Sequence, residues 1–115
     1  MEKQQQFRRT KRIEVRFGVE RASYLGFTVD VSATGLFLKT STVFPPQTDL
    51  VLELTLPDQG ILSLRGTVMW SKRVPPQLAR HVKKAGMGIE LIEPSAAYRE
   101  FVALLAVVPV PSAVD

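Results

Sequence analysis

The sequence lacks the residues on which most catalytic and metal chemistry depends. Its 115 residues include no cysteine, which excludes disulfides, thiolate metal sites and cysteine nucleophiles. Histidine occurs once, as His81, in a basic stretch without a neighbouring carboxylate. We therefore predict a surface histidine and no metal site. Because the sequence shows no nucleophile–base pair and no glycine loop beside a paired acid and base, we predict no catalytic residue, no cofactor and no enzyme activity.

Long apolar runs are also missing. The longest, residues 101–110, is about half the length that a membrane-spanning helix needs. The polar N-terminus has no apolar stretch of the kind that signal peptides carry. A small domain without disulfides suits a reducing compartment. We expect a cytoplasmic protein with no membrane insertion.

Positive charge is concentrated at one end of the chain. Residues 1–21 contain seven basic and three acidic residues, which accounts for the whole formal net charge of +4. The remaining residues carry balanced charge. A local basic surplus favours a partner that carries phosphate. The alternative at this point is a solvated basic tail.

Alternation of apolar and polar residues predicts six short strands. In the second strand, Leu25, Phe27, Val29 and Val31 would share one face. Gly35 follows a tight turn and would be free to take a positive φ, while Gly66 would mark a bulge or bend. The predicted strands cover residues 13–17, 25–31, 36–40, 50–56, 61–71 and 86–92.

One helix follows the last strand. Pro94 ends the strand and Ser95 can cap the helix, and four apolar residues then recur at helical spacing: Tyr98, Phe101, Val102 and Leu105. Six antiparallel strands need closure to hide their edges. We predict an all-β fold, a six-stranded antiparallel β-barrel with a C-terminal α-helix. The domain would span residues 7–107, between a disordered tail at 1–6 and a frayed tail at 108–115.

Two segments carry the functional signal: residues 7–12, which are rich in arginine, and residues 30–35, which read Asp-Val-Ser-Ala-Thr-Gly. Together they suit a ligand with phosphates and guanines. An arginine fork pairs with guanine O6 and N7 or with phosphate, and its plane stacks on bases. A carboxylate such as Asp30 can accept from the guanine N1–H and N2–H₂ donors.

In this order, an Arg-x-x-x-Arg motif and an Asp-x-Ser-x-x-Gly motif about twenty residues later resemble the PilZ domain family, whose members bind cyclic di-GMP. The resemblance extends to residues 66–70 and 85–91, and so covers roughly residues 7–105. It departs at Thr34, where many members carry a second glycine. It implies a six-stranded barrel with the arginine motif just before the first strand. It also implies these ligand-binding residues: Arg8, Arg9, Arg12, Asp30, Ser32, Gly35 and Trp70.

The resulting hypothesis is a stand-alone cyclic di-GMP receptor or adaptor without an effector domain of its own. Residues 1–12 would be mobile and would order over the ligand, which changes the surface offered to an unidentified effector protein. The hypothesis is compatible with the binding of one ligand and with the binding of an intercalated pair. One alternative is a PilZ-type interaction module that binds no nucleotide. Another is an RNA- or single-stranded-DNA-binding barrel, which is disfavoured because we expect the aromatic residues to point into the core rather than to line a sheet face.

Overall fold

The computed structural model describes residues 9–56, 60–73 and 85–107. The predicted tails at 1–6 and 108–115, together with Arg8 and His81, lie outside these ranges. Within the described ranges, no helix has the length and apolar character to cross a bilayer.

Six strands close into an antiparallel barrel. The elements are β1 Arg9–Thr10, β2 Glu14–Gly18, β3 Tyr24–Val31, β4 Gly35–Lys39, β5 Asp49–Leu56, β6 Gly60–Lys72, β7 Gly86–Leu91 and α1 Ala96–Val107. The order around the barrel is β3-β2-β5-β6-β7-β4, and β4 pairs back with β3. The two-residue strand β1, which is too short to show periodicity and is not predicted by the sequence, pairs with the end of β3. The predicted all-β barrel with one C-terminal helix is confirmed.

The barrel core forms because alternate side chains of each strand point inward. In β5, the even-numbered leucines from Leu50 to Leu56 are all almost fully buried. Helix α1 adds Tyr98, Phe101 and Val102 to the same cluster. The Ser95 hydroxyl accepts from the Tyr98 amide at 3.2 Å, which caps the helix as predicted.

Two register shifts change which residues face outward. In β3 the shift lies between Thr28 and Asp30. Gly26 and Thr28 are buried, whereas Leu25 is exposed and Phe27 is half-buried. The expectation that Leu25 and Phe27 share a face with Val31 is therefore wrong, because a β-bulge reverses the alternation along the strand.

The second shift is in β6, between Val68 and Trp70. The bulge was expected at Gly66, which instead lies in regular pairing with Leu91. A Cβ at Gly66 would lie 2.5 Å from the Ile89 side chain. Close packing between strands, not a bend, explains this glycine.

Candidate functional site

The arginine-rich segment is hydrogen-bonded to the barrel from residue 9 onward. Strand β1 pairs with β3, and the Lys11 amide donates to the Val29 carbonyl at 3.0 Å. The buried Thr28 hydroxyl accepts from the Ile13 amide at 2.9 Å and donates to the Lys11 carbonyl. Of the segment expected to be mobile, residues 1–8 lie outside the described ranges, whereas the main chain of residues 9–11 is hydrogen-bonded to β3.

Arg12 lies on the outer face of the barrel. Its guanidinium carbon is 4.0 Å from the centre of the Phe27 ring, and the residue is exposed. Cation–π contacts at exposed sites contribute about 0.5–1 kcal/mol. This contact is weak enough for the guanidinium to exchange it for a charged ligand. The side chain of Arg9 lies outside the described part of the structure.

The turn after β3 is organised by Ser32. Its hydroxyl donates to the Gly35 carbonyl and accepts from the Gly35 amide, both at 3.2 Å. Its amide donates to the same carbonyl at 2.8 Å, and the residue is 1% exposed. The geometry gives the hydroxyl a structural role within the turn. Direct contact of Ser32 with a ligand stays a prediction.

Further hydrogen bonds fix this turn to the rest of the barrel. The Tyr98 hydroxyl of α1 donates to the Ser32 carbonyl at 2.7 Å, and the Leu91 amide of β7 donates to the Thr34 carbonyl at 2.8 Å. The turn therefore presents a preorganised surface.

Gly35 does not take the positive φ that the sequence allows. Among the described glycines only Gly60 has a positive φ, so Gly35 is not left-handed. A Cβ at Gly35 would lie 2.6 Å from the Ile89 carbonyl oxygen. The glycine is needed because β4 and β7 approach closely at this point.

A continuous row of residues crosses the outer face beside the turn. Asp30 pairs with Phe37, Phe37 with Gly88, and Gly88 with Trp70. Directly paired residues project to the same side of a sheet. The row therefore brings Asp30 and Trp70, predicted from distant parts of the sequence, onto one surface. One carboxylate oxygen of Asp30, Oδ1, is shielded from solvent.

Two aromatic rings meet in the middle of this row. Phe37 and Trp70 stack with their centroids 5.1 Å apart and their planes at 16°. Trp70 is 48% exposed, whereas Phe37 is 8% exposed, so the pair offers one open ring. A Cβ at Gly88 would lie 2.1 Å from Trp70 Nε1, which shows that the indole rests on this glycine.

Charged residues occupy the neighbouring rows. On one side, Lys39 and Lys72 both pair with Gly86, and Phe27 with its Arg12 contact pairs with Lys39. On the other side, Glu90 lies between Gly35 and Thr67. Each of these rows lies two residues from the row that contains Phe37 and Trp70, a distance of roughly 6.6 Å along the strands.

A cleft of about 260 Å³ lies between the turn and the indole, lined in part by Gly35, Met69, Trp70 and Glu90. Sequence reasoning missed the contributions of Phe37, Gly88, Lys39, Lys72 and Glu90. The two glycines at alternate positions of the last strand were a usable signal for Gly88. Such glycines permit large side chains of adjacent strands to lie across the strand.

Comparison with known proteins identifies the family. The family model of the PilZ domain matches residues 2–106. The chain belongs to the PilZ domain family. This family comprises receptors for cyclic di-GMP. No curated protein matches the sequence.

Two solved structures share the fold. One is the Bacillus subtilis inhibitor of motility, MotI/DgrA, with 17% identity, a TM-score of 0.72, and coverage of 91% of this chain and 49% of that chain. The other is the PilZ domain of CeSA from a cellulose-synthesizing bacterium, with 22% identity, a TM-score of 0.54, and coverage of 88% and 94%. The present chain thus spans about half the length of MotI/DgrA. At these identities the likeness extends to the fold alone.

Proposed function

We propose that this PilZ domain binds cyclic di-GMP on the outer face of the barrel, between the Ser32–Gly35 turn and Trp70. The observation that carries the proposal is the single open ring of Trp70. It lies between the row that contains Lys72 and the row that contains Glu90. A cyclic guanine dinucleotide needs a stacking surface, cations for its phosphates and acceptors for its guanine edges. The outer face offers all three within a few strand positions.

Each part of the site has a chemical task. Trp70 stacks one base, an interaction worth about 1–3 kcal/mol. Arg12, Lys39 and Lys72 attract the phosphates, with arginine able to pair bidentately. Asp30 accepts from a guanine edge or orients an arginine.

The turn and the arginine motif complete the proposed site. Gly35 lets the ligand approach the main chain, and Ser32 keeps the turn in shape. By resemblance to the family motif, Arg8 supplies a second guanidinium and Arg9 an adjacent one. Both are proposals from the sequence, because neither side chain is described.

Ligand binding would be communicated to an effector protein by a change in the surface of the domain rather than by a chemical reaction. Because the main chain of residues 9–13 is already bonded to β3, we restrict the proposed ordering to the arginine side chains and to the chain before Arg9. Closing these groups on the ligand would alter the surface offered to an effector protein. We propose a cytoplasmic bacterial receptor or adaptor with no catalytic step, metal or cofactor.

One observation favours a second candidate, single-stranded nucleic acid. The aromatic residues were expected to point inward, but Phe27, Phe37 and Trp70 lie on the outer rows. That reason against nucleic acid is therefore wrong. Proteins that follow a strand stack several bases on successive rings. Here Phe37 is covered and Arg12 lies over Phe27, so the surface suits one base better than a strand.

The deciding experiment is calorimetric titration of cyclic di-GMP into the native protein and into Arg12→Ala and Arg8→Ala. Arg21→Ala is the matched control, since Arg21 is an exposed arginine in the loop before β3. We expect low-micromolar or tighter binding that the first two variants weaken and the control retains. Stoichiometry will distinguish one ligand from an intercalated pair.

Two other outcomes would favour a different function. A folded protein that gives no heat at about 100 μM ligand, far above the expected dissociation constant, would leave a nucleotide-independent interaction module. Tighter binding to a single-stranded oligonucleotide than to cyclic di-GMP, with a steep salt dependence, would favour a nucleic-acid-binding function.

A further inference from the structure

Glu90 stands at the edge of the proposed site, inside the strand of residues 85–91 that resembles the family but outside the Arg-x-x-x-Arg and Asp-x-Ser-x-x-Gly motifs. It is exposed on the outer face of β7, two residues beyond Gly88, and it lines the same cleft as Trp70. Its cross-strand partners are Gly35 and Thr67. The open ring of Trp70 and this carboxylate therefore face one space.

Neither cross-strand partner brings a side-chain donor to the Glu90 carboxylate. Gly35 has no side chain. The hydroxyl of Thr67 donates its one proton to Asp49 Oδ1 at 2.8 Å, so towards Glu90 it can act only as an acceptor. Neither cross-strand partner therefore engages the exposed Glu90 carboxylate, and its oxygens are open to solvent and to a ligand in the cleft.

The charge pattern gives a bound nucleotide a direction. Phosphates are attracted to Lys39 and Lys72 and repelled by Glu90. The lysines flank Gly86, which lies four residues from Glu90 on β7, roughly 13 Å away. Between these ends lies Trp70. A base stacked there would have its phosphates towards the lysines and its edge towards the carboxylate.

Guanine and adenine differ at that edge. Guanine presents N1–H and N2–H₂, two parallel donors that match the two oxygens of a carboxylate. Adenine presents a 6-amino donor beside an N1 acceptor there and has no 2-amino group, so it can donate to only one of the two carboxylate oxygens. A purine that turns an acceptor towards a carboxylate makes no hydrogen bond at that atom, and the facing lone pairs repel each other.

On this basis, and resting on the proposed function, we propose that Glu90 accepts from the Watson–Crick edge of the guanine stacked on Trp70. Glu90 is then a specificity-determining residue that selects guanine over adenine dinucleotides. The negative charge of Glu90 weakens the binding of any dianionic ligand. Hydrogen bonds to the carboxylate offset this loss only when the base presents N–H donors.

The test is titration of cyclic di-GMP and cyclic di-AMP into the native protein, Glu90→Ala and Glu90→Gln. Glu20→Ala is the matched control, an exposed glutamate in the loop between β2 and β3, at the end of β3 far from the turn. Thermal unfolding of each variant verifies that it is folded. For Glu90→Ala we expect affinity for cyclic di-GMP to fall about tenfold to a hundredfold, the range of a bidentate base contact.

Affinity of Glu90→Ala for cyclic di-AMP should stay equal or rise, so the ratio between the two ligands collapses. Glu90→Gln keeps one acceptor oxygen and should fall between the native protein and Glu90→Ala. Equal gains for both ligands in Glu90→Ala would reveal simple repulsion and overturn the proposal, as would no change for either. Failure of the native protein to bind cyclic di-GMP would instead remove the proposed function itself, and the role of Glu90 with it.

Discussion

The hydrogen bond between helix α1 and the motif turn makes a sharp prediction for stability. Tyr98→Phe removes only the hydroxyl that donates to the Ser32 carbonyl at 2.7 Å. The ring can remain in place, because Tyr98 lies in the apolar core cluster and is fully buried. The substitution therefore removes the hydrogen bond to Ser32 without opening a large cavity.

The magnitude follows from burial at both ends of the bond. Ser32 is 1% exposed, so water has little access to the carbonyl that loses its donor. A buried polar group left without a partner costs about 1–3 kcal/mol. We expect a loss of about 2 kcal/mol in the free energy of unfolding. With a urea m-value near 2 kcal/mol/M, the midpoint should fall by about 1 M.

Equilibrium urea unfolding followed by circular dichroism measures this loss. Tyr24→Phe is the control, because Tyr24 is the other of the two tyrosines and is 43% exposed. Surface substitutions usually change stability by no more than about 0.5 kcal/mol. If Tyr98→Phe is no less stable than Tyr24→Phe, the bond does not fix the turn to the helix and the preorganisation argued above is incorrect.

Three further predictions concern the Trp70 contact, the anchoring of residues 11–13 and the exposed cations. Gly88→Ala should displace the indole, because the new Cβ would lie 2.1 Å from Trp70 Nε1. Trp70 is the only tryptophan, so the fluorescence emission of the protein should shift, and ligand affinity should fall as it does in Trp70→Ala. Unchanged emission would contradict the contact. Thr28→Val should lower the free energy of unfolding by about 1–3 kcal/mol, since the Ile13 amide and the Lys11 carbonyl both lose a partner; urea unfolding at native stability would disprove that anchoring. Finally, affinity for cyclic di-GMP should weaken as NaCl rises from about 0.05 to 0.5 M, because the cations are exposed and screened. Salt-independent calorimetric titrations would place the phosphates elsewhere.

Local patterns predicted most of the architecture. The alternation in β5 needs no tertiary information, because a half-buried strand puts every second residue inward. The Ser95 cap and the apolar spacing of α1 are equally local, and they correctly predicted the helix that contains Tyr98. The predictions failed where one residue is inserted into a ladder, near Val29 and Met69. A bulge of one residue reverses the faces without leaving a clear mark in composition.

The candidate site divides in the same way. Asp30, Ser32 and Gly35 are neighbours in the chain, so a short motif suffices to bring them to notice. The row from Asp30 through Phe37 and Gly88 to Trp70 is assembled by pairing between residues up to 51 positions apart, the separation of Phe37 and Gly88. No local pattern encodes that alignment, because register depends on how all the strands close into a barrel.

The sequence by itself therefore determined the strands, the helix, the location of the net charge and the two motifs that indicate the PilZ family, because each is a property of adjacent residues. Only the tertiary structure decided that Ser32 is a buried organiser of its turn, that Gly35 serves close strand packing, and that Trp70 lies over Gly88 between the lysines and Glu90. These properties depend on atoms brought together from distant parts of the chain. Their physical origin is the closure of the sheet, which fixes every cross-strand neighbour at once.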